Sequence, residues 1–357
     1  GILLDSNVRC PAGGCLPGDR AAVDGYHTCE NTTNTSANTA IQGEMTVESL
    51  RIFGYAGRIL RVDLSTGRTY AEALDEATLR MYVGGATLGI KYLYDEVPPG
   101  VVWSDPENRV LLVSGPVGGT RVGGSGAIAV VTKGALTNGV ASSQANGFFG
   151  TFLRSSGFDA VVLQGSAPEW VYLYIHDGVA EIRKASHLLG KNTVETNSII
   201  RQDLRKKERQ ISTLSIGPAG EHLVRFACAV VDDGHVAGHN GIGAVIGSKK
   251  LKAIVVERGR NAVPLKDKEA LSQVAKELLE NTLSGLGTSM PHREGTVGGV
   301  VMGTMSGMVP VKNYTTGIHA IDPDKLATYE SAHIRSKFKA KPAPCWACSA
   351  KHCHRME

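Results

Sequence analysis

The sequence predicts an α+β fold, with short and mostly antiparallel strands over residues 50–258 and a helical region after them. Three observations carry this. Strand candidates come in quick succession, few helices separate them, and the pattern turns to helical periodicity after Pro264. A regular βαβ alternation is absent, so a doubly wound parallel sheet is not expected.

The elements follow in order. Residues 58–64 alternate, Ser65-Thr66-Gly67 supplies a turn, and residues 68–72 return, which reads as a hairpin. Residues 75–83 are helix-compatible, with Asp75 as N-cap and Glu76 in the first turn. Gly84-Gly85 interrupts, residues 86–96 form a second helix, and Pro98-Pro99-Gly100 ends it. Strands are expected at residues 109–114, 127–132, 160–164, 171–176 and 179–184, the last two joined by the turn signal His176-Asp177-Gly178. Residues 192–205 read as a helix, with Asn192 capping and Glu195 three positions on. Further strands are expected at residues 211–216, 223–231 and 253–257, and Cys228 within the second of them reads as a buried thiol. Beyond Pro264, Ala270, Leu271, Val274, Ala275, Leu278 and Leu279 recur at helical spacing, and Asp322-Pro323 opens another helix.

Composition narrows the class. Hydrophobic residues make up 42% and charged residues 20% of 357, which is globular. No apolar run approaches the ~18 residues of a membrane span. A net charge of +4 is too mild to imply nucleic acid, and seven cysteines are too few for a disulfide scaffold. No membrane and no nucleic-acid partner is expected. Residues 1–44 lack hydrophobic periodicity and the features of a signal peptide. They read as an upstream or disordered leader, with Met45 as the natural start. Residues 45–258 form the first domain, and residues 259–357 read as the start of a helical domain of a longer protein.

Glycine is the outlier, at 43 residues, about 12% against a usual ~7%. Three clusters fall between strands: residues 115–126, residues 145–150 and Gly238-His239-Asn240-Gly241-Ile242-Gly243. Glycine lets backbone N–H groups converge on a ligand, as a phosphate-bearing cofactor requires. Tight turns are the plain alternative, and the last cluster shows no clear helix after it. His235 and His239 are four apart beside Asp232 and Asp233, yet Gly234 and Gly238 make a helix presenting both rings unexpected. Contact with a cofactor suits them better than metal ligation.

Cys345-Trp346-Ala347-Cys348 is followed by Cys353, giving C-x2-C-x4-C. Three thiolates this close can share one metal centre. An iron–sulfur cube needs four ligands as a rule. A structural zinc is the alternative, completed locally by His352 or His354. Free thiols remain a third reading. A redox CxxC lacks its thioredoxin-like setting.

On these residues the chain resembles the tungsten-dependent aldehyde:ferredoxin oxidoreductase family. Matching stretches run in order through residues 57–67, 111–120, 130–139, 148–165, 215–227, 241–254, 310–317 and 344–353. The resemblance implies two β-sheets cradling tungsten (or molybdenum) held by two pterins, with magnesium bridging the pterin phosphates. It implies a [4Fe–4S] cluster on Cys345, Cys348 and Cys353, with the fourth ligand far downstream. It implies oxidation of an aldehyde to a carboxylic acid, with electrons passed to ferredoxin or an iron–sulfur partner subunit. A cytoplasmic protein able to form a homodimer is expected, and this chain alone is expected to be inactive.

Departures from the family pattern are specific. The cysteine spacing is one residue longer than usual. Ala127 stands where the family has a pterin-contacting Arg, with Arg121 the nearest basic residue. Gln144, Asn146 and Gly147 fall on the loop that touches magnesium and phosphate. His235, Ala237 and Gly238 match a stretch that carries two Arg residues in the family and none here. Loss of those guanidiniums removes bidentate phosphate contacts. The alternatives that remain are an aromatic-ring reductase subunit with the same cofactor and a cofactor-free zinc-binding relic.

Overall fold

The computed structural model describes residues 52–285, 294–295, 298–317, 322–348 and 353–356. The leader, Met45 and His352 lie outside the described residues.

The first hairpin forms as its pattern requires. β1 (Arg58–Asp63) pairs antiparallel with β2 (Arg68–Ala73). Asp75 caps α1 (Glu76–Tyr82) by accepting from Thr78 N at 2.8 Å, and α2 (Gly85–Glu96) follows. The chain then lays down β3 (Val110–Val113), β4 (Ile128–Lys133), β5 (Val140–Ala145), α3 (Phe149–Ser155) and β6 (Ala160–Gln164). These strands make a six-stranded sheet in the order β2-β1-β6-β3-β4-β5, in which only β1–β6 is parallel.

The second sheet repeats the plan. It uses β7 (Val171–His176), β8 (Val179–Lys184), β9 (Ile211–Ile216), β10 (Ala229–Val231), β11 (His235–Ala237) and β12 (Leu251–Glu257). Their order is β11-β10-β9-β12-β7-β8, and only β12–β7 is parallel. Between these strands lie α4 (Thr193–Asp203), α5 (Pro218–Glu221) and α6 (Ile242–Ser248). Asn192 and Glu195 close a capping box on α4, as their spacing predicts.

Alternation along the strands places the core. Val110, Leu112, Val161 and Leu163 point to one cluster with Leu173, Leu214 and Ile254 of the second sheet, and Phe149, Phe152 and Val245 of α3 and α6 fill it. Leu111, Val113 and Val162 point the other way, against Leu79, Leu88 and Leu93 of α1 and α2. Tyr172, Tyr174 and Val255 likewise pack under Ile200 of α4. Both sheets are therefore covered on both faces, which is why β3 and most of β6 read as unbroken apolar runs and β12 holds the apolar stretch Ala253–Val256.

Three expectations are corrected. Residues 223–231 are not one strand: Leu223 has φ +56°, turns follow it, and only Ala229–Val231 pairs. Cys228 is accordingly half-buried and stands just before β10. A helix does follow the third glycine cluster, because Gly241 at φ +70° turns the chain straight into α6.

The later part holds α7 (Lys268–Ser284), α8 (Gly299–Met305), α9 (Pro323–Ala327), α10 (Ser331–Lys337) and a ribbon of β13 (Ala340–Pro342) with β14 (His354–Met356). Asp267 caps α7 by accepting from Ala270 N at 2.8 Å, and none of its residues is buried.

Candidate metal and cofactor site

The cysteine loop is tied at its base and at its tip. The β13–β14 ribbon and the bond from Ala343 N to Cys353 O (2.9 Å) close the loop that carries all three thiols. At the tip, Trp346 N donates to Gly147 O (3.1 Å) and Trp346 Nε1 to Thr120 O (2.9 Å). The indole meets Phe148 edge-on at 6.3 Å, and Arg258 lies over it at 5.6 Å. Arg355 reaches Asp233 at 2.5 Å. The loop is thus docked on two of the glycine clusters, one carrying Thr120 and one carrying Gly147.

Gly147 shows why glycine is needed there. Its φ is +115°, and a Cβ would lie 2.7 Å from Asp232 Oδ2, 2.9 Å from Val231 and 3.2 Å from the His235 ring. Asp232 organises this corner. Its carboxylate accepts from Phe148 N (3.0 Å), Ser212 Oγ (2.5 Å) and Thr213 N (3.3 Å). Burial nonetheless raises its pKa above the ordinary carboxylate value, against those hydrogen bonds.

The thiols crowd together. Cys345 is buried and hydrogen-bonds Cys348, while Cys348 and Cys353 are half-buried. The hydrogen bond with Cys348, burial and the neighbouring thiolates push the Cys345 thiol far up. Burial and Cys348 push up Cys353 as well. Three thiolates so close repel one another unless a cation sits among them, which is the electrostatics of a metal site. A ring nitrogen of His235 and the Sγ atoms of Cys345 and Cys353 all lie within 4.8 Å of one another.

Space opens directly beside the sulfurs. A cavity of about 550 Å³ is lined by Cys353, His235, Asp232 and Phe148, with Arg201, Arg209 and Arg355 among its cations. Arg209 also lies over the Phe148 ring at 5.3 Å. A smaller hollow of about 260 Å³ touches Cys345 and Trp346.

The expected site residues divide. Cys345, Cys348, Cys353 and His235 come together, and Gly147 adjoins them. Arg121 is exposed and lines a separate cavity of about 610 Å³ with Arg258, Arg260 and Lys268. Gln144 and Asn146 are exposed, Ala237 is fully buried, and Gly238, just after β11, is exposed. Ala127 is half-buried, its carbonyl 2.3 Å from where a Cβ on Gly150 would stand. None of these six lines the cavity beside the thiols. His354 lines that cavity but is not in the His235 group, and His239 is exposed in a single 3-10 turn. The cavity arginines Arg201, Arg209 and Arg355 went unforeseen, because no motif joins positions on α4, before β9 and on β14.

Comparisons with known proteins agree with one another. The model of the family described as "Aldehyde ferredoxin oxidoreductase, N-terminal domain" matches residues 59–258. The tungsten-containing aldehyde ferredoxin oxidoreductase of Pyrococcus furiosus is 39% identical over 302 residues, covering 83% of this chain and 48% of that protein. The "Aliphatic sulfonate oxidoreductase, WOR-like subunit" of the same organism is 30% identical over 304 residues, covering 81% and 48%. A solved structure, the active-site complex BamBC of benzoyl coenzyme A reductase with 1,5-dienoyl-CoA, superposes with a TM-score of 0.74 at 28% identity, covering 85% of this chain and 47% of that one. The chain spans about half the length of the curated relatives it matches.

Proposed function

The chain belongs to the aldehyde ferredoxin oxidoreductase family, and from that premise we propose that it is the cofactor-cradling part of a tungsten-dependent enzyme oxidising aldehydes to carboxylic acids. The carrying observation is the cavity of about 550 Å³ that opens against Cys353 and His235 and is walled by Arg201, Arg209 and Arg355. The cavity lining mixes Cys353 and these guanidiniums with the carboxyl groups of Glu208, Asp232, Asp233 and Glu294, and a roomy, cation-bearing hollow beside clustered thiols suits an iron–sulfur cluster next to a phosphorylated metallocofactor.

The residues present fit these groups. Cys345, Cys348 and Cys353 would hold the [4Fe–4S] cluster, whose binding cancels the repulsion among their thiolates. Arg209 would offer guanidinium donors to pterin phosphates, in place of the arginines missing near Ala127 and His235, while Arg201 and Arg355, both paired with Asp233, would add positive charge beside it. Tungsten on two pterins, with magnesium on their phosphates, supplies the two-electron chemistry when bound, and the cluster supplies single-electron transfer to ferredoxin. The chain's own part is to orient and to exclude. Asp232 fixes the start of α3 through Phe148 N, Trp346 seals the tip of the cysteine loop, and Phe148 separates the larger hollow from the smaller. No residue of this chain is assigned as a proton donor.

Likeness to the benzoyl-CoA reductase complex favours a second reading, reduction of an aromatic acyl-CoA by the same cofactor. Higher identity to the aldehyde enzyme ranks it second. Metal analysis of anaerobically purified protein tests both. Stoichiometric tungsten or molybdenum with about four irons is the expected result, and zinc alone without pterin overturns it. Turnover of an aldehyde with a viologen acceptor, against a dienoyl-CoA, separates the two substrates.

A further inference from the structure

The cavity of about 610 Å³ beside Arg121 differs in kind from the one beside the thiols. Arg121, Arg258, Arg260 and Lys268 border it, and no Asp or Glu lines it. Among the described residues none of these four cations has a carboxylate partner, whereas Arg61, Arg109, Arg154, Arg183 and Arg201 are each paired. Unpaired cations around one hollow repel one another, and a bound anion relieves that repulsion. Thr151 on α3 lines the same cavity, is 5% exposed, and its buried hydroxyl has no hydrogen-bond partner among the described residues. A buried hydroxyl left without a partner is costly until something meets it. Gly119, at φ +78°, keeps this wall open: a Cβ there would stand 3.4 Å from Val263 and 3.6 Å from Thr151.

We propose that this cavity binds a small molecule carrying two or more linked phosphates, gripped by Arg121, Arg258, Arg260 and Lys268 and met by the Thr151 hydroxyl. Guanidiniums take phosphate oxygens in pairs, and the lysine adds a point charge. Four cations call for more charge than one phosphate brings, and the volume is that of a small-molecule pocket. Val263, Leu265 and Leu271 give the body of the ligand an apolar wall. This cavity shares no lining residue with the one beside the thiols, so its occupant is distinct from the cofactor proposed above. Trp346 links it to the cysteine loop: the indole lines the cavity, donates to Thr120 O and lies under Arg258. Binding here therefore bears on the tip of the loop that carries the thiols.

The test titrates inorganic phosphate, pyrophosphate and ADP into the full chain purified without oxygen, by calorimetry. Phenylglyoxal modification of arginines, mapped by mass spectrometry, locates the bound anion. Pyrophosphate is expected to bind once per chain, about tenfold or more tighter than phosphate. It is expected to protect Arg121, Arg258 and Arg260 and to leave Arg80 reactive. Arg260→Ala with Lys268→Ala should weaken it about 100-fold, and Thr151→Val about fivefold. ADP bound as tightly as pyrophosphate marks a free polyphosphate as the source, and ADP bound tighter marks a nucleotide; either supports the site. Binding of none of the three, phosphate bound as tightly as pyrophosphate, or binding unmoved by the double variant overturns it. Loss of binding on Arg209→Ala, with the double variant unaffected, puts the anion beside the thiols and overturns it too. Metal content enters none of these readouts, so the outcome is independent of the tungsten reading. Should Thr151→Val fail to fold, the double variant and the arginine map decide.

Discussion

Asp159→Ala tests what holds the glycine-rich loops in place. Arg154 on α3 and Asp159 are both buried, 1% and 2% exposed at their side chains, and their ions meet at 2.6 Å. Arg154 also donates to Gly115 O (3.2 Å) and Gly54 O (2.5 Å), while Asp159 accepts from Ala56 N (3.0 Å) and Gly57 N (2.6 Å). Removing the carboxylate strands a buried guanidinium, which costs about 3–5 kcal/mol. It also strands two amides, each worth about 1–3 kcal/mol when buried without an acceptor. These terms overlap, so the expected loss is about 4 kcal/mol or more, read from urea unfolding. A domain this large shifts its Tm by about 2 °C per kcal/mol, or ~8 °C here. Arg154→Met combined with Asp159→Leu removes both charges and should recover part of the loss, because no ion is then left unpaired. A single-variant loss below about 1 kcal/mol, or a double variant no better than the single, would refute the reasoning.

Other tests are shorter. Lys249 is buried, donates to Pro106 O (3.3 Å) and Gly165 O (3.1 Å), and burial, with Arg109 nearby, depresses its pKa to about 8. The unfolded chain binds this proton up to about 10.5, so stability should rise with pH between about 8 and 10.5, by about 3 kcal/mol at most. Lys249→Met should flatten that rise in pH-dependent denaturation, and an unchanged slope would count against it. Gly147→Ala forces a Cβ to 2.7 Å from Asp232 Oδ2 at φ +115°, so it should cost about 2 kcal/mol and lower bound iron per chain. Normal iron content and an unshifted melt would contradict this. Asn192→Ala removes the cap on Glu195 N (2.9 Å) and should cost about 1 kcal/mol with no change in metal content.

Legibility in the sequence followed the periodicity of each segment. The outer strand β2 and the helices α1 and α4 keep one exposed side, so alternation and capping residues declared them. α6 did not declare itself: Ile242, Ala244, Val245 and Ile246 are all buried, and a helix buried all round has no amphipathic period. α3 was hidden by Gly150, which is needed because a Cβ there would stand 2.3 Å from Ala127 O. β5 is too polar to read as a strand, with Gln144 exposed. Residues 223–228 misled in the other direction. Their apolar side chains are not all buried, Leu223 and Phe226 being exposed, and the segment's backbone instead packs close under α6, where a Cβ on Gly243 would lie 2.4 Å from Cys228 O. The cysteines were plain from spacing alone, whereas the histidine brought beside them by β11 was not.

That asymmetry follows from how the site is divided. The thiols sit on a short loop whose own residues fix their spacing, so the motif is local and visible. Everything that gives the loop its chemistry is supplied by the sheets. Gly147 accepts the Trp346 amide, Thr120 accepts the indole N–H, and Asp233 holds Arg355. The cations follow the same rule: Arg201 and Arg209 lie on and after α4, and Arg355 on β14, none of them in the glycine clusters. A guanidinium supplied from a neighbouring element can meet a phosphate as well as one supplied from the loop beneath it. Arginines absent from the expected motif therefore do not by themselves argue for a lost cofactor. The cavity beside the thiols carries cations drawn from elsewhere in the fold, and that cavity is where a phosphorylated group would find them.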